Sequence, residues 1–136
     1  MVAIQISYEG KLRCSATHEP SGAKLITDAP RDNHGEGQSF SPTDLVATAL
    51  GTCMLTIMGI VAQKHDIDLS GATVHVTKEM ATAPVRRIGT LAVHIIVPRP
   101  MADEHQQRLR EAAMHCPVHR SLHPDVRMPV TFEFGG

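Results

Sequence analysis

The sequence predicts an α+β domain, on three observations. Apolar residues alternate with the two-residue period of strands near both ends of the chain and twice in its middle. One long uncharged stretch, residues 45–63, has the length of a helix and not of a strand. The strand-like runs are grouped rather than interleaved one for one with helices. The order is three strands, helix, two strands, helix, strand (βββ-α-ββ-α-β), which is not a βαβ repeat.

Val2, Ile4, Ile6 and Tyr8 alternate with polar or smaller residues, and Leu12, Cys14 and Ala16 alternate again after Glu9-Gly10. Residues 2–17 therefore read as a hairpin turning at Glu9-Gly10. Pro20-Ser21-Gly22 makes the next turn and residues 23–28 a third strand. Residues 29–40 are loop by composition, at the length where loops tend to carry function. Ser41 suits a helix N-cap, Pro42 the first helical position and Asp44 the positive end of the helix dipole. The helix should run to about Lys64. Val46, Leu50, Cys53, Ile57 and Ile60 share one face, while Leu45, Ala49, Thr52 and Thr56 make another uncharged one. A helix apolar nearly all round needs cover nearly all round, which predicts a homodimer whose subunits share it.

Residues 72–80 and 88–97 read as two strands, joined as a hairpin through Pro84-Val85-Arg86-Arg87, with His75 and His94 on the exposed face. Residues 102–115 form a polar helix burying Leu109, Ala112 and Ala113. Cys116-Pro117 opens a short helical turn that ends by His123-Pro124, and Val130, Phe132 and Phe134 form the last strand. No internal repeat interrupts this order, so residues 1–136 are expected to be a single domain.

Composition excludes several functions. With a net charge of −1 and only four aromatic residues, the chain has neither a basic footprint nor a stacking platform for nucleic acid. The uncharged 45–63 stretch approaches the length that spans a bilayer, but three threonines, two glycines and a glutamine within it favour a buried helix and no membrane. The N-terminus lacks the charged region and cleavage site of a signal peptide. Three scattered cysteines are too few for a secreted disulfide framework, so the expected compartment is the cytoplasm.

Those cysteines are the chemically informative residues. Cys53, in mid-helix, is by itself a small buried hydrophobe as readily as a reactive thiol. Cys14 reads as strand filler. Cys116 precedes a proline at a helix start, with His115, His119 and Arg120 beside it, a setting that favours a thiolate and equally suits a capping residue. The spacing of His115, His119 and His123 would line a helix face for a metal, but Pro117 and Pro124 break that helix. No metal and no other cofactor is expected.

Ser41-Pro42, Leu45, the Leu50-Gly51-Thr52-Cys53 segment and Cys116-Pro117-Val118-His119, taken with the element order, resemble the OsmC/Ohr family of osmotically inducible and organic-hydroperoxide-resistance proteins, in its broader OsmC-like branch. The resemblance covers essentially the whole chain. It implies an intertwined homodimer around two central helices. It also implies thiol peroxidase activity on organic hydroperoxides and, less, hydrogen peroxide, with Cys53 as peroxidatic and Cys116 as resolving cysteine and an external dithiol as reductant. Peroxidase members carry a glutamate ten residues before the first cysteine, paired with an arginine from the early hairpin. Here that position is Thr43, with Asp44 next to it. The thiolate-stabilising candidates are accordingly Arg13, Lys11, Arg31, Asp44 and Thr43. Two other readings stand beside the enzyme. One is a small-molecule binding protein whose dimer-interface pocket, lined by Met54, Met58 and Met114, holds a small apolar molecule without turning it over. The other is a metal site on Cys116, His119 and His123.

Overall fold

The computed structural model describes residues 1–135. Its elements are β1 (Ile4–Gly10), β2 (Arg13–His18), β3 (Lys24–Asp28), α1 (Pro42–Lys64), β4 (Thr73–Ala81), β5 (Arg87–Val97), α2 (Asp103–Met114), α3 (Pro117–Ser121) and β6 (Val130–Phe134), with one 3-10 turn at Arg31–Asn33. The chain divides into two compact units, Met1–Val46 and the residues from Ala47 onward, each holding one three-stranded sheet.

In the first unit β1, β2 and β3 form an antiparallel meander, with Tyr8 opposite Cys14 and Cys14 opposite Thr27. The hairpin turns two residues later than the sequence predicts. Lys11 and Leu12 take φ values of 54° and 63°, the left-handed pair that a two-residue hairpin loop requires, so Leu12 is turn and not strand. Gly10, at φ 85°, absorbs the accompanying register shift after Tyr8. One face of this sheet is apolar and uncovered: Ile4, Ile6 and Tyr8 are 58%, 61% and 68% exposed. The 29–40 segment is tied back onto β3. Asp28 N–H donates to the Phe40 carbonyl at 3.0 Å, Ser39 Oγ to the Ile26 carbonyl at 2.8 Å, and Gln38 N–H to Asp28 Oδ2 at 3.0 Å.

Helix α1 begins as its sequence signals. Ser41 N–H donates to Asp44 Oδ2 at 2.9 Å and Asp44 N–H donates to Ser41 Oγ at 3.1 Å, a reciprocal cap with aspartate in the usual glutamate place. Its buried stripe is Ala47, Leu50, Gly51, Met54, Met58 and Ala62. That stripe is rotated from the expected Val46–Leu50–Cys53–Ile57–Ile60 face, and Ile60 is 45% exposed. The reason is close packing. A Cβ on Gly51 would lie 2.8 Å from Val76 Cγ2 and 3.5 Å from both Val74 methyls, so the helix rests on β4 along its small-residue side. The outward threonines keep their polarity satisfied within the helix, as when Thr52 Oγ1 donates to the Thr48 carbonyl at 2.8 Å. Among the described residues α1 alone is long and apolar enough to cross a membrane, by length and composition.

In the second unit β4 pairs antiparallel with β5, with His75 directly opposite His94, and β6 joins β5 in parallel. Every second residue of β5, Leu91, Val93, Ile95 and Val97, is fully buried or nearly so. Leu109, Ala112 and Ala113 of α2 bury as the periodicity predicts. The Arg110 guanidinium lies 5.2 Å and 5.1 Å from the ring centres of Phe132 and Phe134, fastening α2 to the last strand.

The Gly51 contact generates a stability prediction. Replacing a helical glycine with alanine gains about 1 kcal/mol of propensity, whereas forcing a methyl into a packed site costs about 1–3 kcal/mol. Val76 is β-branched and stiff. Gly51→Ala should therefore lower the urea-unfolding free energy by about 1 kcal/mol, while Gly59→Ala, where nothing lies within 4 Å, should raise it.

Candidate thiol site

Cys116 owes its position to a break between two helices. Helix α2 stops at Met114, and His115 N–H turns back to the Ala112 carbonyl at 3.0 Å. Pro117 disfavours helical geometry in the residue before it, and Cys116 is extended at φ −70°, ψ 123°. Its Sγ accepts a hydrogen bond from His119 N–H at 3.4 Å and so caps α3. The side chain is fully buried. Cys53, on α1 beside the buried stripe, is half-buried.

Both cysteines belong to the second unit, and the Cys53 thiol is near enough to Cys116 to bear on its ionisation. Burial pushes the Cys116 thiol up, and the Cys53 thiol pushes it the same way; the backbone N–H groups of His119 and Val118 offset this only in part. Of the two readings open for Cys116, thiolate or capping residue, this environment favours the capping residue. His115 and Arg120 point to solvent, and His115 Nδ1–H donates to the Glu111 carbonyl at 2.7 Å. Desolvation outweighs the cap, so Cys116 keeps its proton at neutral pH. Cys14 belongs to the sheet of the first unit.

A metal reading does not assemble. His123 Nδ1 accepts from Asp125 N–H at 3.0 Å, and among the described residues no three His, Cys, Asp or Glu side chains converge on a point that could hold an ion.

The five charge-stabilising candidates all lie in the first unit. Arg13 is the anchored one: its Nη2 donates to Glu36 Oε2 at 2.8 Å and Gln38 Oε1 at 3.0 Å, and its Nε lies 3.5 Å from Asp28 Oδ2. Arg31 Nε donates to the Glu36 carbonyl at 3.1 Å and packs along Gly37. Lys11 is exposed at the hairpin tip. Asp44 is occupied by the α1 cap, and Thr43 Oγ1 lies 3.2 Å from Ser41 Oγ. Sequence reasoning missed Asp28 and Glu36. Asp28 could have been found: it sits directly opposite Arg13 in the β2–β3 register, an opposite-charge cross-strand pair. It is 1% exposed, and its Oδ1 has no hydrogen-bond partner among the described residues. Glu36 carried no local signal, since its role depends on the loop folding back.

The OsmC-like protein family matches residues 35–131. No curated protein matches the chain. Among solved structures, a protein assigned to the osmotic-stress and detoxification response of Psychrobacter arcticus 273-4 is 44% identical; the match covers 98% of this chain and 96% of that one, with a TM-score of 0.92. An OsmC-like protein from Mycoplasma pneumoniae, 15% identical, matches over 100% and 98% of the two chains at a TM-score of 0.83. An organic hydroperoxide resistance protein OsmC from Legionella pneumophila, 18% identical, matches over 98% and 96% at 0.79. The last two show a shared fold.

The protonated Cys116 makes stability pH-dependent in a defined direction. Its folded pKa is raised, so the stability it contributes is complete below the ordinary thiol value of about 8.5 and is lost as pH rises through the folded value. Urea melts of the reduced protein should show stability falling from neutral to alkaline pH, with a shallower fall in Cys116→Ala. Equal slopes in the two proteins would contradict the assignment. In the first unit, Asp28→Ala would leave Arg13 short of its buried partner, and it should cost about 3 kcal/mol and speed proteolysis within residues 29–40.

Proposed function

The chain belongs to the OsmC-like family, and from that membership we propose that it is a cysteine-based peroxidase that reduces organic hydroperoxides, and hydrogen peroxide to a lesser degree, through Cys53 and Cys116. The observation that carries this reading is the pairing of two neighbouring thiols inside one unit, one half-buried and one fully buried. A disulfide joins sulfurs at roughly 2.05 Å, so the reading requires two cysteines that are neighbours in space, as the influence of Cys53 on Cys116 indicates. The Psychrobacter relative's detoxification role and the Legionella neighbour's hydroperoxide resistance agree with the same chemistry.

The steps follow from the two environments. The Cys53 thiolate attacks the terminal peroxide oxygen, the O–O bond breaks, and the alcohol leaves after taking a proton, with Cys53 oxidised to a sulfenic acid. Cys116 then attacks that sulfur. Its proton and the sulfenic hydroxyl leave as water, and a Cys53–Cys116 disulfide remains. An external dithiol returns both sulfurs to thiols and is itself oxidised to a disulfide. A resting state with reduced thiols suits the cytoplasm. In this reading Arg13 is the family's arginine. The acidic partner that Thr43 does not supply comes to it from Glu36 and Asp28.

The working form in this reading is a homodimer. The support is uncovered apolar surface: Ile60 on α1 and the Ile4, Ile6 and Tyr8 face of the first sheet. Sedimentation should give twice the 14.8 kDa chain mass.

The peroxidase reading is tested by thiol counting. One equivalent of cumene hydroperoxide added to reduced protein should remove two of the three thiols. Cys53→Ser should lose none, and Cys116→Ser should lose one, as a sulfenic acid that dimedone captures. Full retention of thiols by the wild type while the compound binds would replace the enzyme with a binding protein.

A further inference from the structure

The Cys53–Cys116 pair is asymmetric in two respects that the peroxide chemistry does not use. The first is access. Cys116 is 0% exposed, whereas Cys53 is only half-buried. A thiolate opens a disulfide by attacking one sulfur along the S–S axis from the side away from the other, so the accessible sulfur is the one attacked. The second is where negative charge can go. Cys116 Sγ already receives His119 N–H at 3.4 Å, and Val118 N–H also favours charge on it. Cys53 is in the middle of α1, where backbone N–H groups are committed to carbonyls one turn back. Those donors offset the burial of Cys116 only in part, so the difference in access is what selects the entry sulfur.

We propose that the reductant enters only at Cys53, so that the mixed disulfide of the reductive half-cycle forms there and Cys116 never exchanges with an external thiol. This rests on the peroxidase reading above and assigns its second half. One thiolate of the dithiol bonds to Cys53 Sγ. The Cys53–Cys116 bond breaks, and its electron pair goes to Cys116 Sγ. The dithiol's second thiol gives its proton to Cys116, restoring the buried thiol. The resulting thiolate attacks the carrier sulfur bonded to Cys53, which leaves as a thiolate while the carrier closes as a disulfide. Two electrons pass from carrier to protein. Burial of Cys116 slows its departure as an anion, but His119 and Val118 oppose that penalty, and no external thiol reaches Cys116 to offer another route. Peroxide and reductant therefore use the same port and exclude each other from it.

The wild-type protein is sufficient for the test. The disulfide is made with diamide, so the entry sulfur can be mapped even if hydroperoxide fails to oxidise the thiols, an outcome that would sink the peroxidase reading and not this one. The oxidised protein is mixed briefly with excess glutathione, quenched in acid and digested at low pH, and the adduct is located by mass spectrometry. The adduct is expected on the Cys53 peptide with Cys116 free. An adduct on the Cys116 peptide overturns the proposal. A second measurement uses the reduced single-site variants: Cys116→Ser should react with 5,5′-dithiobis(2-nitrobenzoate) at Cys53 about 100-fold or more faster than Cys53→Ser reacts at Cys116. Comparable rates would overturn it as well.

Discussion

The close approach of α1 to β4 is the constraint on which the second unit depends. A helix can sit this near a sheet only if the contacting residue has no side chain, and Gly51 meets that condition against Val74 and Val76. Once the helix is seated there, its 3.6-residue period fixes the rest. Ala47, Leu50, Met54, Met58 and Ala62 face inward, and Cys53 lies at the edge of the buried stripe. That edge position gives Cys53 its chemical character. A residue one step further into the stripe would be sealed like Met54, and one on the outer face would be as open as Thr52.

The second cysteine is placed by a different device. Pro117 ends one helical path and begins another, and Cys116 is the residue left between them. Its sulfur does the work a serine oxygen does at most helix starts. The sulfur is a poorer acceptor than oxygen and the site is dry, so the cap alone does not ionise it. The result is a difference set by environment: a buried thiol that keeps its proton, near a thiol that is only half-buried.

Much of this was legible in the sequence, because the signals were local. The alternation of Leu91, Val93, Ile95 and Val97, the Ser41-Pro42-x-Asp44 helix start and the proline after Cys116 each act within a few residues, and each element formed where they indicate. The errors came from choices that local rules leave open. Apolar residues surround α1, so periodicity alone could not select the buried stripe; the fit of Gly51 to Val76 selected it. The first hairpin has no Asn-Gly or Asp-Gly pair to mark its turn, and the left-handed residues fell on Lys11 and Leu12. The two readings of Cys116 stayed open in the sequence because neighbours along the chain need not be neighbours in space. His115 and Arg120 flank it along the chain yet face water.

The Arg13 cluster shows how a charge arrangement can be assembled from strand register and a folded-back loop. Arg13 needs a carboxylate to fix its guanidinium, but nothing requires that carboxylate to come from the helix. Asp28 is supplied by strand register, since it pairs with Arg13 across β2 and β3, and Glu36 by the loop that folds back onto β3. The two are not equivalent. Asp28 is buried and directed by a backbone N–H from Gln38, so it holds one edge of the guanidinium in a fixed place. Glu36 is mostly exposed, so its shorter contact at 2.8 Å is screened by water and contributes little to stability. The orientation of Arg13 is thus set by the longer and drier of its two ion pairs.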